Sequence, residues 1–148
     1  ERSVSFLKQL GLPRTAANSQ GMYYLVIQDR DLIKKITDCV ADWMQEQIDN
    51  KSPQKRYFIK VLHVYRERGI DIIGRNARQL IFVLARRLNV TGPSNSEQSL
   101  AYAELYAPTL GLGTTIMALL KPAFGPIIRR CGNCSRFQQN KWGLAACS

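Results

Sequence analysis

No stretch of this sequence is long and apolar enough to span a bilayer. The longest nearly uncharged run, Leu105 to Leu120, is broken by Pro108, Gly111, Gly113 and three threonines. Internal repeats and low-complexity blocks are missing, which excludes solenoids and disordered arrays. No Gly-x-Gly-x-x-Gly stands between a strand and a helix, so there is no dinucleotide fingerprint. The chain opens Glu1-Arg2-Ser3, without a secretory leader. Its four cysteines (Cys39, Cys131, Cys134 and Cys147) are therefore expected as reduced thiols of a cytoplasmic protein, not as a disulfide framework. Acid is also missing from one end. No Asp or Glu follows Glu104, whereas five bases do.

What is present is a basic chain of one-domain size. Its 148 residues carry 21 Lys and Arg against 11 Asp and Glu, a net charge of +10. Acids concentrate in residues 29–49, which hold six, and bases in residues 51–90, which hold ten. Such a surface attracts phosphates, whether on nucleic acid, a phospholipid or a nucleotide cofactor, and its sign does not choose among them. Hydrophobic residues make up 45% of the chain, enough for a true core.

Strand and helix signals alternate. Met22 to Ile27, an aromatic and β-branched run after Gly21, reads as a buried strand. Asp29 or Asp31 caps a helix whose apolar residues, Ile33, Ile36, Val40, Trp43 and Met44 among them, recur at helical spacing through Asn50. Ser52-Pro53 is expected to start a second helix that Gly69 ends. Ile70 to Ile73 is ambiguous. Leu80 to Ala85 reads as a second buried strand. Ser94 and Glu97 look like a capping box ahead of a helix from about Asn95 to Ala107. Beyond Pro126 no element is assigned. The class these signals support is α+β or α/β.

Two segments carry the chemistry. Thr15-Ala16-Ala17-Asn18-Ser19-Gln20-Gly21 precedes the first strand. It reads either as a polar loop or as a turn presenting the Asn18 and Gln20 amides to a planar heterocycle, since amides both donate and accept. Leu110-Gly111-Leu112-Gly113-Thr114-Thr115 follows the last helix, and its glycines permit close backbone approach to a ligand. Cys131-Gly132-Asn133-Cys134 is half a metal site. With Cys147 it supplies three ligands where four are needed, and His63 and Cys39 are remote, so unligated thiols are expected and no metal is assigned. His63, among apolar neighbours, is expected as a partly buried structural residue. Arg86-Arg87 and Arg129-Arg130 read as solvated element ends, and Trp43 and Tyr65 as core or dimer interface.

In this order the pieces resemble the flavin-dependent nitroreductase family, nearest to the branch often fused to an iron–sulfur ferredoxin module. The resemblance is carried by four segments. They are Arg2-Ser3-Val4, Thr15 to Gln20 before Tyr24-Leu25-Val26-Ile27, Gly69 to Ile73 before the Leu80 strand, and Ala101 to Ala107 running into Leu110-Gly111-Leu112-Gly113-Thr114. It covers about residues 1–120. The resemblance implies a single α+β domain over 1–148, with a mostly antiparallel central sheet flanked by helices and residues 121–148 as a divergent tail. It also implies a homodimer with one FMN per subunit. Electrons would pass from NAD(P)H or a ferredoxin-type donor to a nitroaromatic, a quinone or a similar acceptor. Arg2 and Ser3 would hold the FMN phosphate, Asn18 and Gln20 would meet the ring or ribityl chain, and the backbone of Gly111, Leu112, Gly113 and Thr114 would pass close to the flavin. No acid–base residue is required of such a site.

The chain departs from the family pattern in five places. Ser5 stands where a second Arg is usual. Only Phe6 to Arg14 fill the place of an early helix. Ala77-Arg78 replaces Ala-Pro, and Ala118 replaces a Gly. The closing strand with its basic phosphate contact is not recognisable after Lys121. These departures leave a second reading open, a degenerate, non-catalytic homologue that keeps the fold and the dimer but has lost the cofactor. A third, a basic nucleic-acid-binding module, rests on the charge alone and lacks any recognisable motif.

Overall fold

The computed structural model describes residues 22–86, 90–117, 123 and 142–147. They form two compact units, one built on a small sheet and the other on a helical pair.

The sheet has three strands, β1 (Met22–Ile27), β2 (Leu80–Arg86) and β3 (Trp142–Cys147), in the order β1-β2-β3. Central β2 reads Leu-Ile-Phe-Val-Leu-Ala, and Leu80, Ile81, Phe82, Val83 and Ala85 are all buried. Near-continuous burial is what a strand covered on both faces requires. β3 pairs antiparallel with β2, from Phe82 opposite Cys147 to Arg86 opposite Trp142. A register shift between Val83 and Leu84 leaves Ala145 as the extra residue on β3. This strand lies in the tail for which the sequence offered no assignment.

α3 (Gly92–Tyr106) packs on the sheet and continues into a 3-10 turn, Ala107–Leu110. It begins earlier than expected. Pro93 takes the first turn, where its missing N–H costs nothing, and Ser94 lies inside the helix, so Ser94 and Glu97 form no capping box ahead of Asn95. Its buried face is small: Ser96, Ser99, Leu100, Ala103 and Ala107 lie against the sheet. Small side chains let the helix approach closely, and their hydroxyls are satisfied locally. Ser96 donates to the Gly92 carbonyl at 2.7 Å, and Ser99 shares a 2.6 Å hydrogen bond with the Tyr24 hydroxyl on β1. Burial pushes the Tyr24 hydroxyl above its ordinary value, more than the bond to Ser99 lowers it.

In the other unit α1 (Arg30–Asp49) packs against α2 (Lys55–Glu67). Asp29 caps α1, its carboxylate accepting the N–H groups of Asp31 at 2.9 Å and Leu32 at 3.2 Å. The buried stripe Ile33, Ile36, Val40, Trp43 and Met44 meets Phe58, Val61 and Leu62, with Trp43 edge-on to Phe58 at 5.6 Å between ring centres. Trp43 is thus core of this unit. α1 ends in a double hydrogen-bonded turn. Ser52 N–H reaches the Gln47 carbonyl at 3.0 Å and Lys51 N–H the Ile48 carbonyl at 3.1 Å, with Lys51 left-handed at φ 55°. Ser52 then accepts the Gln54 N–H at its Oγ, at 3.4 Å, and the Lys55 N–H at its carbonyl, at 2.9 Å, and α2 itself opens at Lys55 and not at Ser52-Pro53. Gly69, at φ 63°, turns the chain away after α2 as expected. His63 corrects the expectation of partial burial. Its side chain is 53% exposed on the outer face of α2, beside Glu67 at 3.4 Å.

Candidate functional site

Gly111 ends the 3-10 turn in the left-handed region, φ 70°, and its N–H reaches back to the Pro108 carbonyl at 2.9 Å. Leu112 N–H bonds the Ala107 carbonyl at 3.0 Å, and its side chain packs on the cluster of Ile81, Ala103 and Ala107. The glycine segment is therefore pinned at its first two residues to the helix–sheet core. Gly113 and Thr114 then emerge exposed, and among the described residues neither makes a hydrogen bond. A Cβ at Gly113 would meet nothing within 4 Å. The result is a stretch rooted at Gly111 and Leu112 whose N–H and C=O groups at Gly113 and Thr114 are unengaged among the described residues, as approach to a ring edge rich in donors and acceptors requires. Arg2, Ser3, Asn18 and Gln20, the other residues assigned to the cofactor, lie outside the described residues, as do Ser5, Ala118, Cys131 and Cys134.

The helical unit carries a second feature that sequence reasoning did not find. A cavity of about 440 Å³ opens between the first turns of α1 and the loop from Gly69 to Ala77, lined by Arg30, Ile33, Lys34, Tyr65, Asn76 and Ala77 among others. Its polar wall is a chain of contacts. Lys34 pairs with Asp38 at 3.0 Å, and the Tyr65 hydroxyl donates to the other oxygen of the same carboxylate at 2.5 Å. Partial burial opposes ionisation of Asp38, but the Tyr65 hydroxyl and the Lys34 ammonium outweigh it and hold the carboxyl below its ordinary value. Burial first, and then the same carboxylate, push the Tyr65 hydroxyl well above the usual phenol range.

The loop is held by Asp71, whose carboxylate accepts the Gly74 N–H at 2.6 Å and the Asn76 N–H at 3.1 Å. Arg75 and Asn76 are both left-handed, at φ 51° and 53°. Gly74 is forced: a Cβ there would sit 2.8 Å from Asp71 Oδ2 and 2.9 Å from Thr37 Oγ1. The spacing Arg30, Lys34, Asp38 on one helix face was the available sequence signal. The loop that completes the cavity lies some forty residues further on, which is why periodicity alone does not reveal it.

No family model matches this sequence, and no curated protein matches it. Solved structures do. A BluB-like flavoprotein from Clostridium difficile superposes with a TM-score of 0.76 at 17% identity, over 99% of this chain and 77% of its own. A nitroreductase with bound FMN from Desulfitobacterium hafniense gives 0.74 at 12% identity, over 99% and 73%. An iodotyrosine deiodinase bound to FMN and 3-iodo-L-tyrosine gives 0.69 at 14%, over 99% and 74%. The chain has the nitroreductase fold, an α+β architecture with a small antiparallel pairing at its sheet and helices around it.

Proposed function

We propose that this chain binds FMN and is a flavin-dependent oxidoreductase of the nitroreductase type. The observation that carries the reading is the nitroreductase fold together with the Gly111–Thr114 segment, rooted at Leu112 and open at Gly113 and Thr114. FMN, once bound, supplies the transfer of a hydride or electron pair. The protein's part is to hold and orient. Arg2 and Ser3 hold the phosphate, Asn18 and Gln20 meet the ring or ribityl chain, and the backbone of Gly111 to Thr114 lies along the flavin. The electron donor in this reading is NAD(P)H or a ferredoxin-type protein, the acceptor is a nitroaromatic, a quinone or a similar small molecule, and the working form is a cytoplasmic homodimer. No helix among the described residues is long and apolar enough to cross a membrane.

The departures at Ser5 and in the tail favour a second reading, a fold homologue without catalysis. In that reading two basic phosphate contacts are missing. At about 1.5 kcal/mol each, that weakens FMN binding roughly a hundredfold relative to an intact clamp. Titrating apo-protein with FMN at low and high salt, followed by NAD(P)H-dependent quinone reduction, separates the readings. Saturable binding with turnover supports the oxidoreductase. Binding without turnover supports the degenerate homologue. A folded protein with no affinity for FMN at any salt contradicts the cofactor assignment and supports a degenerate homologue that has lost it. Within the first outcome, Arg2→Ala is expected to raise the dissociation constant about tenfold or more, and Arg86→Ala by less than about threefold.

A further inference from the structure

The cavity beside α1 is lined by two cations, Arg30 and Lys34, and two carboxylates, Asp38 and Asp71, and among the described residues Arg30 pairs with neither carboxylate. Of its two carboxylates, Asp38 already accepts from Tyr65 and Lys34, and Asp71 already accepts two backbone N–H groups. Arg30, one turn before Lys34 on the same face, has no carboxylate within ion-pair distance among the described residues. Two like charges at i and i+4 stand roughly 5–6 Å apart at Cβ and repel. A bound anion between them turns that repulsion into attraction. The Asn76 side chain, which makes no hydrogen bond among the described residues, lines the cavity and adds a neutral donor and acceptor. Ile33, 5% exposed, supplies an apolar wall. The volume, about 440 Å³, falls within the range of small-molecule sites.

An exposed, unpartnered arginine is common on protein surfaces. Here it faces a wall that is built at conformational cost. Two consecutive non-glycine residues, Arg75 and Asn76, are held left-handed, and Gly74 is wedged against Thr37, which together place Asn76 and Ala77 at the cavity.

We propose that this cavity binds a small molecule carrying a carboxylate or phosphate group next to an apolar portion. Arg30 and Lys34 take the anionic group, and Ile33 takes the apolar part. Lys34, 72% exposed at its side chain, is free to swing from Asp38 to the ligand, because Tyr65 keeps its hydrogen bond to that carboxylate.

Phenyl phosphate and benzoate are the probes, each titrated into the full-length protein while the amide resonances of Gly69, Asn76 and Ala77 are followed. Saturable shifts at millimolar concentration or below are expected for at least one. Phenyl phosphate alone assigns a phosphate ligand, and benzoate alone a carboxylate. Arg30→Gln is expected to weaken that binding tenfold or more with the unfolding midpoint unchanged. Lys35→Gln removes the same charge from the same helix away from the cavity and is expected to change it less than threefold. Two results overturn the proposal. One is the absence of saturable shifts with either probe. The other is an equal loss in the two variants, which would reduce the effect to diffuse surface charge.

Discussion

Gly74 and Gly113 show how differently two glycines of one chain are used. A methyl group at Gly74 collides with Asp71 and with the buried Thr37, whose own hydroxyl is bonded to the Ile33 carbonyl at 3.0 Å and does not yield easily. Gly74→Ala is therefore expected to destabilise the helical unit by about 1–3 kcal/mol. Gly113→Ala, with open space around it, changes apo-protein stability by less than about 0.5 kcal/mol. Urea unfolding of the two variants checks the contrast. If the backbone of Gly113 lies along a flavin, Gly113→Ala weakens FMN binding all the same. The Tyr65–Asp38 bond makes a second residue-scale prediction, and its sign follows from the shifts. Asp38 is depressed, so its contribution is present above its unfolded value near 3.8 and lost as pH falls through the lower folded value. Tyr65 is raised, so its contribution is full below 10.0 and lost as pH rises through the higher folded value. Tyr65→Phe should lower stability by about 0.5–1.5 kcal/mol at pH 7, with the deficit shrinking at acid and alkaline extremes. A deficit independent of pH would contradict the assignment.

Among the elements, the end of α1 is where conformation and residue type disagree most plainly. Its double hydrogen-bonded turn puts Lys51 in the left-handed region that glycine occupies without strain. Lys51→Gly should raise the unfolding free energy by about 0.5–1 kcal/mol, measured by thermal or urea denaturation. A loss of stability would contradict this account of the cap. The start of α2 falls three residues later than Ser52. Ser52-Pro53 has the composition of a helix start, and Ser52 does accept the N–H groups of Gln54 at its Oγ and of Lys55 at its carbonyl, but these close a single turn before the helix proper begins at Lys55. β2 and the body of α1 were legible because their signals are local: a continuous apolar run, and a 3.6-residue apolar stripe with a capping Asp29. The aromatic and β-branched run placed β1 as a strand, but not as the buried one expected: only Ile27 is buried, and Tyr23 is 46% exposed. β3 was not legible. Trp-Gly-Leu-Ala-Ala-Cys is poor in β-branched residues, and what makes it a strand is pairing with the edge of β2, sixty residues away. His63 was misread because its apolar sequence neighbours turn to the other side of α2. The glycine segment of the candidate site was visible as Gly-x-Gly after a helix. The cavity at Arg30 was not, because four of its ten lining residues come from a loop held by Asp71.

For the molecule as a whole, the likeness to flavoproteins lies in shape and not in sequence, at 12–17% identity over 99% of the chain. The proposed homodimer has a specific surface to answer for it. Tyr102 and Leu105 on α3 are 58% and 77% exposed, one turn apart, whereas Trp43 is covered within its own unit. Leu105→Glu with Tyr102→Glu should shift the sedimenting species toward monomer at micromolar concentration. A wild-type protein that sediments as a monomer would remove that part of the reading. The central claim is that the chain is a flavoprotein, and an absorbance spectrum of the purified protein, recorded after incubation with FMN and removal of the unbound fraction, tests it most directly. The account predicts a retained yellow chromophore with the flavin bands shifted from those of free FMN. A folded, colourless protein that leaves the added FMN wholly in the unbound fraction would contradict it.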